Sequence, residues 1–329
     1  MKELIIKSND ANQRIDKYLK KVLANAPASF IYKMFRKKDV KVNGQRVQEN
    51  YILNEGDVVA LFLYEDKFNE FSAIGEVVKV KKQFDVLYED NHVLVVNKPA
   101  GLLVHEDVNE TTNTLTNQVL YYLSEKGELD LSRESSFMPG PVHRLDRNTS
   151  GIVIFGKTMK SLQILNEMIK QRHCIEKEYV TITNGRLDRA QELVGYVKKV
   201  DNEARVIFVK KEDPNALMMK TLVYPVLFND EYSLVRVKLV TGRMHQIRIH
   251  LASINNPIIG DRKYGNFNAN KLTKAKFGLN NQLLHAYKVK FVKTWGELDY
   301  LLDKEITAPI PQEFLAIKNK IFGNVKIRL

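Results

Sequence analysis

The sequence neighbours of one carboxylate, that of Asp146, would suit a catalytic side chain. Asp146 lies in the segment His143-Arg-Leu-Asp-Arg-Asn-Thr-Ser-Gly, and residues 152–155 follow as an apolar run that predicts a buried strand. The neighbouring Arg144 and Arg147 favour the ionised carboxylate. An anion fixed on a rigid edge can act as a nucleophile or a base toward a bound electrophile. The same residue types also form structural ion pairs that close loops, and residue types alone leave both interpretations open.

The composition bounds the class of protein. The chain has 329 residues and 44% hydrophobic residues, enough for a packed core. Its formal net charge of +12 favours polyanionic partners, among them RNA, DNA and acidic membrane surfaces. Cys174 is the single cysteine, which excludes an intramolecular disulfide and a zinc site built on cysteines, and a reducing cytoplasm is the expected location.

The sequence predicts neither a membrane segment nor a metal site. Its first residues are charged and lack the apolar core of a signal peptide. No apolar run approaches the roughly 18 residues that a transmembrane helix needs. His245 and His250 are five positions apart, which is not the helical spacing of a metalloprotease pair.

The N-terminal part predicts two short helices followed by a hairpin. Helical periodicity covers residues 11–24 and recurs at residues 31–35, and the Asn43-Gly44 pair is a strong signal for a two-residue hairpin turn. Six cations and one acid lie between residues 28 and 48, an arrangement that suits a phosphate backbone and also a solvated helix face. These cations are Lys33, Arg36, Lys37, Lys38, Lys41 and Arg46.

The rest of the chain alternates strand patterns with short helices. Residues 84–99 predict two strands joined by an Asp-Asn turn, and Thr158 is a candidate cap for a helix that carries apolar residues on one face. In the strand around residues 176–183, alternation places Tyr179 on the face opposite Val180 and Ile182. These patterns favour an α+β fold, since repeated strand–helix units of a parallel sheet are missing from the sequence.

Three motifs resemble the RluA-type RNA pseudouridine synthases. In that family His-Arg-Leu-Asp is followed two residues later by Thr-Ser-Gly, as at residues 143–151. The family's Lys-x-Tyr segment is matched by Lys177-Glu178-Tyr179, and its Thr-Gly-Arg-x-His-Gln-Ile-Arg-x-His pattern by residues 241–250. The resemblance covers nearly the whole chain, and residues 29–38 most resemble the C-type synthases of large-subunit ribosomal RNA.

The resemblance implies an architecture of two domains. Residues 1–64 are expected to form a small α/β-hairpin RNA-binding domain like that of ribosomal small-subunit protein four, and residues 65–83 a linker. Residues 84–329 are expected to form the catalytic domain, with a mixed, mainly antiparallel sheet and peripheral helices.

The resemblance also implies a reaction. The enzyme would be an isomerase that detaches uracil from its ribose, rotates it and rejoins it through carbon, without a cofactor. Asp146 would be the catalytic carboxylate, Tyr179 would stack on the target base, and Arg248 would pair with Asp146. Whether Asp146 attacks the sugar or removes a sugar proton stays open.

The implied partner is RNA, with large-subunit (23S) ribosomal RNA expected first and transfer RNA second. A monomer is the default expectation. A non-catalytic RNA-binding factor of ribosome assembly is the alternative, although a pure binder has no need of a carboxylate in a phosphate-binding cleft. Besides the six N-terminal cations, the residues expected to contact RNA are Arg144, Arg147, Arg243, His245 and Gln246.

Overall fold

The structure is a computed structural model that describes residues 1–72, 77–129, 136–200, 205–327 and 329. The chain forms two compact units. The N-terminal unit consists of residues 1–82, 116–140 and 156–163, and the larger unit consists of residues 83–115, 141–155 and 164–329.

The N-terminal unit contains a four-stranded sheet and three helices from the first part of the chain. The strands are β1 (Lys2–Ile5), β2 (Val40–Val42), β3 (Gln45–Arg46) and β4 (Val58–Leu61), in the order β1-β4-β2-β3. The helices are α1 (Ile15–Val22), α2 (Ala28–Lys37) and α3 (Glu65–Phe71). Asn43 and Gly44 join β2 to β3 with φ of 50° and 78°, which confirms the predicted hairpin turn.

Helix α3 occupies the first part of the segment predicted to be a linker. Its Phe68 is buried and belongs to the same apolar core as Tyr18, Ile31 and Val59. We therefore propose that the N-terminal domain extends to about residue 72 rather than ending at residue 64. Residues 73–76 of the predicted linker lie outside the described residues.

The larger unit is built on one mixed sheet. Among the described residues its strands are β5 (Asp85–Glu89), β6 (Val93–Lys98), β7 (Gly140–Pro141), β8 (Ser150–Gly156), β9 (Ile175–Asn184), β10 (Gln191–Lys199), β11 (Val206–Phe208), β12 (Leu217–Phe228), β13 (Tyr232–Leu239), β14 (Leu284–Phe291) and β15 (Glu305–Thr307). The sheet order is β11-β10-β12-β13-β9-β14-β8-β6-β5, with β15 on β14 and β7 on β8. The β8–β14 pair is parallel and most other pairs are antiparallel, so the predicted α+β class is confirmed.

Helices accompany the later part of the chain. They are α4 (Leu115–Glu125), α5 (Met159–Gln171), α6 (Gln246–Ser253), α7 (Phe267–Phe277) and α8 (Gln312–Phe322). Thr158 caps α5 as predicted, because its Oγ1 accepts a hydrogen bond from the backbone N–H of Ser161 at 3.1 Å. Within the described parts of the chain, none of the helices is long and apolar enough to span a membrane.

Strands β8 and β14 approach each other closely at the centre of the sheet. Gly151 of β8 has φ of 111° and lies opposite Ala286 of β14, and a Cβ at residue 151 would overlap the Ala286 carbonyl oxygen. Ala286 is in turn in register with Tyr179 of β9. A residue without a side chain is thus required where these three strands meet.

Candidate active site

A pocket of about 620 Å³ lies within the larger unit and contains Asp146. Its walls come mainly from three segments, residues 142–149 before β8, residues 169–179 from the end of α5 into β9, and residues 239–248 from the end of β13 into α6, and Leu284 of β14 also lines it. This volume lies in the range of pockets that bind small ligands. The three sequence motifs therefore meet around one pocket, although up to about 100 residues separate them in the chain.

The loop that carries Asp146 is fixed at both ends. Before it, His143 Nε2 accepts a hydrogen bond from the backbone N–H of Ile154 at 3.3 Å, which ties the loop to β8. After Asp146, the Thr149 N–H donates to its carbonyl oxygen at 3.0 Å. The loop then enters β8, in which every residue is buried, as the sequence predicted. The loop that carries the Asp146 carboxylate is thus fixed to a buried strand of the sheet.

A fully buried ammonium group supports the same loop. Lys98 Nζ donates to the carbonyl oxygens of Pro99, Leu102 and Arg147 at 2.8–3.0 Å. Burial lowers the pKa of Lys98 to about 7, and the negative charge of Asp146 opposes this shift. Three carbonyl acceptors require three N–H donors, so this geometry favours the charged form. Sequence reasoning missed Lys98, since a lysine at a strand end is ordinarily exposed.

Arg248 holds one oxygen of Asp146. Its Nη1 donates to Asp146 Oδ2 at 2.8 Å, while its Nε and Nη2 donate to the two oxygens of Asp261 at 2.7 and 2.8 Å. Burial would lower the pKa of Arg248, but its hydrogen bonds and charge attraction to the two carboxylates prevail and raise it. The predicted Arg248–Asp146 pair is therefore present, and the guanidinium is an always-charged bridge between two acids.

Asp261 is a site residue that sequence reasoning did not identify. It is fully buried, and its Oδ1 also accepts hydrogen bonds from the backbone N–H groups of Lys263 and Tyr264. Burial alone would raise the pKa of Asp261, but Arg248 and the two backbone donors lower it. The signal was present in the sequence as an acid in a tight turn, but nothing in the spacing connects residue 261 with Arg248.

Tyr179 lies in the pocket wall beside Asp146. Its exposed fraction is 7%, and the face that alternation assigned to it is the face that lines the pocket. Burial, and secondarily the charge of Asp146, raise the pKa of its phenol well above the usual value. The ring therefore remains neutral and presents a flat, largely apolar surface to the pocket.

The second oxygen of Asp146 faces a histidine. His245 Nε2 lies 3.9 Å from Asp146 Oδ1, and His245 Nδ1 lies 2.8 Å from the hydroxyl oxygen of Tyr264. The side chain of His245 is 10% exposed. Its ring thus lies against the carboxylate rather than at the rim where a phosphate contact would be made.

Cations surround the pocket. Arg144 is exposed and Arg243 is half-buried, with its Nε donating to the carbonyl oxygen of Met218 at 3.3 Å. Three further cations that were not predicted to contact RNA also line it: Lys170, Arg172 and Lys177. Burial, together with the charge of Arg172, lowers the pKa of Lys177. This positive wall suits the phosphates of an RNA strand.

Two of the predicted RNA contacts have other positions. Arg147 is exposed but borders a second pocket with Gly101 and Glu110, and its Nε donates to the Gly101 carbonyl oxygen at 3.1 Å. Gln246 is 3% exposed and makes only internal hydrogen bonds. Its Oε1 accepts from Thr241 Oγ1 and the Arg243 N–H, and its Nε2 donates to Lys220 O and Thr221 Oγ1.

The prediction that Gln246 contacts RNA is therefore corrected. Its amide is saturated by the turn that it closes, which leaves no donor or acceptor for a phosphate or a base. We infer that Gln246 instead fixes the turn before α6 and thereby the position of Arg243.

The six N-terminal cations lie on α2 and the hairpin after it. Lys33, Arg36, Lys37 and Arg46 are exposed, as is Lys38, which ends α2 with φ of 65°. Lys41 is half-buried, with its Nζ 4.9 Å from the centre of the Phe62 ring. Among the described residues, no group of three His, Cys, Asp or Glu side chains is arranged to hold a metal ion.

Comparisons with known proteins agree with these motifs. The family model for RNA pseudouridylate synthase matches residues 92–253, and the model for the S4 domain matches residues 13–59. A protein of Mycoplasma capricolum, named an uncharacterized RNA pseudouridine synthase, is 36% identical over 314 residues, which cover 93% of this chain and 97% of that protein. The ribosomal large subunit pseudouridine synthase C of Escherichia coli K12 is 33% identical over 301 residues, 88% of each chain.

A solved structure shows the same fold. Human RNA pseudouridylate synthase domain containing 4 superposes with a TM-score of 0.55 at 22% identity, over 70% of this chain and 90% of the human one. The structural match covers 70% of this chain, whereas the sequence matches to the two bacterial relatives cover 88–93% of it and so include both units. The chain therefore belongs to the RNA pseudouridine synthase family, a family of isomerases, and carries an S4 domain near its N-terminus.

Proposed function

We propose that this chain converts uridine to pseudouridine in large-subunit ribosomal RNA, with Asp146 as the catalytic carboxylate. The observation that carries this proposal is the arrangement around Asp146. One oxygen, Oδ2, is held by Arg248 at 2.8 Å, while Oδ1 has no hydrogen-bond partner among the described residues, and both Asp146 and Tyr179 line the pocket. A carboxylate with one fixed and one unbonded oxygen is oriented toward a substrate and remains reactive.

The reaction determines what the pocket has to supply. The bond between N1 of uracil and C1′ of ribose breaks, the base rotates, and a bond between C5 and C1′ forms. The C5 proton leaves and N1 gains a proton, so the overall reaction is an isomerisation. Asp146 Oδ1 can serve either by attacking C1′ or by accepting a sugar proton, and both roles require an ionised, positioned oxygen.

The remaining side chains fit the handling of an extruded nucleotide. A base in folded RNA has to leave its stack before an enzyme can act on it, which costs a few kcal/mol. Tyr179 offers a neutral ring on which the base can stack. Arg144 and Arg243 line the pocket and would hold phosphates that flank the flipped nucleotide, and Lys170 and Arg172 line the same pocket.

The choice of ribosomal RNA rests on the relatives and on charge. Several proteins that are 30–33% identical to this chain over most of its length are named ribosomal large subunit pseudouridine synthase C. The exposed cations of α2 and the hairpin give the S4 domain a second surface for phosphate groups. Both observations support a large, folded RNA as the substrate.

The proposal is tested by tritium release from RNA labelled at C5 of uracil. Wild type and Asp146→Asn are incubated with 23S ribosomal RNA and, separately, with transfer RNA, and Asp230→Asn serves as a variant of an exposed aspartate. We expect release from ribosomal RNA by wild type and Asp230→Asn, and a loss of about 1,000-fold or more in Asp146→Asn with RNA affinity retained.

Two results would count against the proposal. Release from transfer RNA alone would move the substrate to that class of RNA. If Asp146→Asn lost RNA affinity and turnover together, Asp146 would be a structural residue rather than the catalytic one.

A further inference from the structure

The two oxygens of Asp146 have different surroundings. Oδ2 accepts a hydrogen bond from the Arg248 guanidinium at 2.8 Å. His245 Nε2 lies 3.9 Å from Oδ1, which is beyond hydrogen-bond distance. The catalytic oxygen of the proposed mechanism therefore has an imidazole edge directly beside it.

The backbone of His245 adopts an unfavourable conformation. Its φ of 54° is in the left-handed region, which few residues other than glycine, asparagine and aspartate adopt readily. Such a conformation costs on the order of 1–3 kcal/mol and persists only where the surroundings enforce it. Here the backbone turn before α6 directs the ring at Asp146.

The hydrogen bonds of Tyr264 favour one tautomer of His245. The Tyr264 hydroxyl oxygen accepts a hydrogen bond from the backbone N–H of Val206 at 3.2 Å. Its proton is then available for His245 Nδ1, which lies 2.8 Å away. If Nδ1 accepts this proton, the neutral ring carries its own proton on Nε2, the atom that faces Asp146.

The charges around the ring come from three segments. Asp146 faces it from the loop before β8, Arg248 from α6, and Asp261 and Lys263 from the turn after α6. Burial is the largest influence and lowers the pKa of His245 to about 4, with Arg248 and Lys263 adding to the shift and the two aspartates opposing it. The ring is therefore neutral at pH 7.

We propose that His245 is a positioning residue that presents a neutral Nε2–H to the reactive oxygen of Asp146, in a tautomer selected by Tyr264. The inference rests on the proposed catalytic role of Asp146. A second cation beside the carboxylate would bind Oδ1 as tightly as Arg248 binds Oδ2 and would lower its reactivity. A neutral Nε2–H at 3.9 Å faces Oδ1 without forming a hydrogen bond to it, so Oδ1 stays available to the substrate.

A single turn supports both sides of the carboxylate. Asp261 orients Arg248, which holds Oδ2, and Tyr264, three residues later, orients His245, which faces Oδ1. The turn is itself closed by hydrogen bonds from the N–H groups of Lys263 and Tyr264 to Asp261. The geometry on both sides of Asp146 thus derives from residues 261–264.

Two replacements of His245 separate this role from a purely structural one. Asparagine retains a polar group near the Nδ1 position and tolerates the left-handed backbone, but places nothing near Asp146. Glutamine extends an amide to the position of Nε2 but lacks the Nδ1 acceptor. We expect His245→Asn to lower kcat about 10- to 100-fold with KM for RNA nearly unchanged, and His245→Gln to recover most of that loss.

A purely structural role predicts the reverse order, with asparagine harmless and glutamine damaging. That order, or an equal loss in both variants, would overturn the inference. Melting temperatures of both variants show whether either one simply fails to fold.

A second measurement does not depend on turnover. Nitrogen-15 NMR of labelled histidine, with the His245 signal identified by its loss in His245→Asn, reports which ring nitrogen carries the proton. We expect a single neutral form protonated on Nε2 at pH 7 in wild type, and a mixture or a raised pKa in Tyr264→Phe. An Nδ1-protonated or doubly protonated ring in wild type would overturn the inference.

Failure of the inference and failure of the proposed function give different results. If wild type and Asp146→Asn release tritium equally, the role of Asp146 is wrong and the inference falls with it. If Asp146→Asn is inactive while His245→Asn matches wild type, the proposed function stands and only the role of His245 is overturned.

Discussion

At the scale of single residues, the site depends on Arg248 being shared by two carboxylates. Its bonds to Asp261 are bidentate and buried, while its bond to Asp146 leaves that carboxylate 25% exposed. A buried charge that loses a partner costs far more than an exposed one, because water cannot replace the lost interaction. The buried Arg248–Asp261 pair therefore fixes the guanidinium, and the fixed guanidinium positions Asp146.

This arrangement predicts the effect of Asp261→Asn. We expect a loss of about 3 kcal/mol in the free energy of unfolding and a loss of at least 10-fold in kcat, since the guanidinium loses its orienting partner. Urea denaturation and the tritium-release assay measure these effects. The exposed Arg186–Asp230 pair supplies the control, and Asp230→Asn is expected to change stability by less than about 1 kcal/mol. Equal effects of Asp261→Asn and Asp230→Asn would contradict the conclusion that the Arg248–Asp261 pair fixes the guanidinium.

The residues of the site were predictable to the extent that they lie in continuous motifs. Asp146, Tyr179 and Arg248 stand in ordered segments that a reader of the sequence can compare with a family. Asp261, Tyr264 and Lys98 were missed because their roles arise from contacts between distant segments. Gln246 was misassigned for the same reason, since its hydrogen-bond partners are not visible in the sequence.

At the scale of elements, the three central strands fix the distance between Asp146 and Tyr179. β8 carries the loop of Asp146, β9 carries Tyr179, and β14 lies between them with Ala286 facing both. Gly151 allows β8 to approach β14 closely enough for this register.

Gly151→Ala is therefore expected to be more damaging than an ordinary glycine replacement. Its Cβ would overlap the backbone of Ala286, so the strands would have to separate, and we expect a loss of more than 3 kcal/mol in stability together with reduced kcat. Gly278→Ala is the matched control, because Gly278 has φ of 73° but open space at the Cβ position. That change is expected to cost about 1 kcal/mol. Similar losses in the two variants would show that backbone strain, not strand separation, is responsible.

Local patterns predicted several elements correctly. The Asn43-Gly44 hairpin, the two strands β5 and β6 and the capped helix α5 all follow from turn chemistry and periodicity. Helix α3 was taken for a linker because its stability comes from Phe68 packing in the core, and its own sequence shows little periodicity. The order of strands in the sheet was not predictable, since long-range pairing leaves no local signal. Asp201-Asn202, a dipeptide typical of turns, lies outside the described residues.

At the scale of the whole molecule, the net charge of +12 makes salt a strong variable in RNA binding. If the exposed cations of α2 contact phosphates, the double variant Arg36→Ala/Lys37→Ala reduces the slope of log Kd against log salt concentration by about 2. Fluorescence anisotropy with a ribosomal RNA fragment measures this slope. Lys67→Ala is the control, since Lys67 is paired with Glu70 at 2.6 Å. An unchanged slope in the double variant would remove these residues from the RNA-binding surface.

Stability of the whole molecule is expected to fall in mild acid. His250 and His285 are buried, and burial lowers the pKa of each to about 4, although a backbone hydrogen bond with Ala308 opposes the shift of His285. The unfolded chain takes up these protons near pH 6.5, before the folded chain does. The stabilisation is therefore complete above about pH 6.5 and is lost as pH falls toward 4, by on the order of 3 kcal/mol per histidine.

Urea denaturation between pH 7.5 and pH 4.5 measures this dependence. His285→Gln is expected to flatten the curve, whereas replacement of the exposed His173 by glutamine is expected to leave its shape unchanged. Curves of the same shape for wild type and both variants would exclude the buried histidines as the cause.

The turn at residues 261–264 bears on which residues of this enzyme can be substituted without loss of the reaction. It orients the groups on both sides of the carboxylate while its own acid, Asp261, is sealed in the interior. Asp261 is buried away from the pocket, yet its loss would free Arg248 and with it the position of Asp146, so we expect substitutions at residue 261 to impair the reaction. A change of RNA specificity is therefore expected to involve the cations around the pocket rather than residues 261–264.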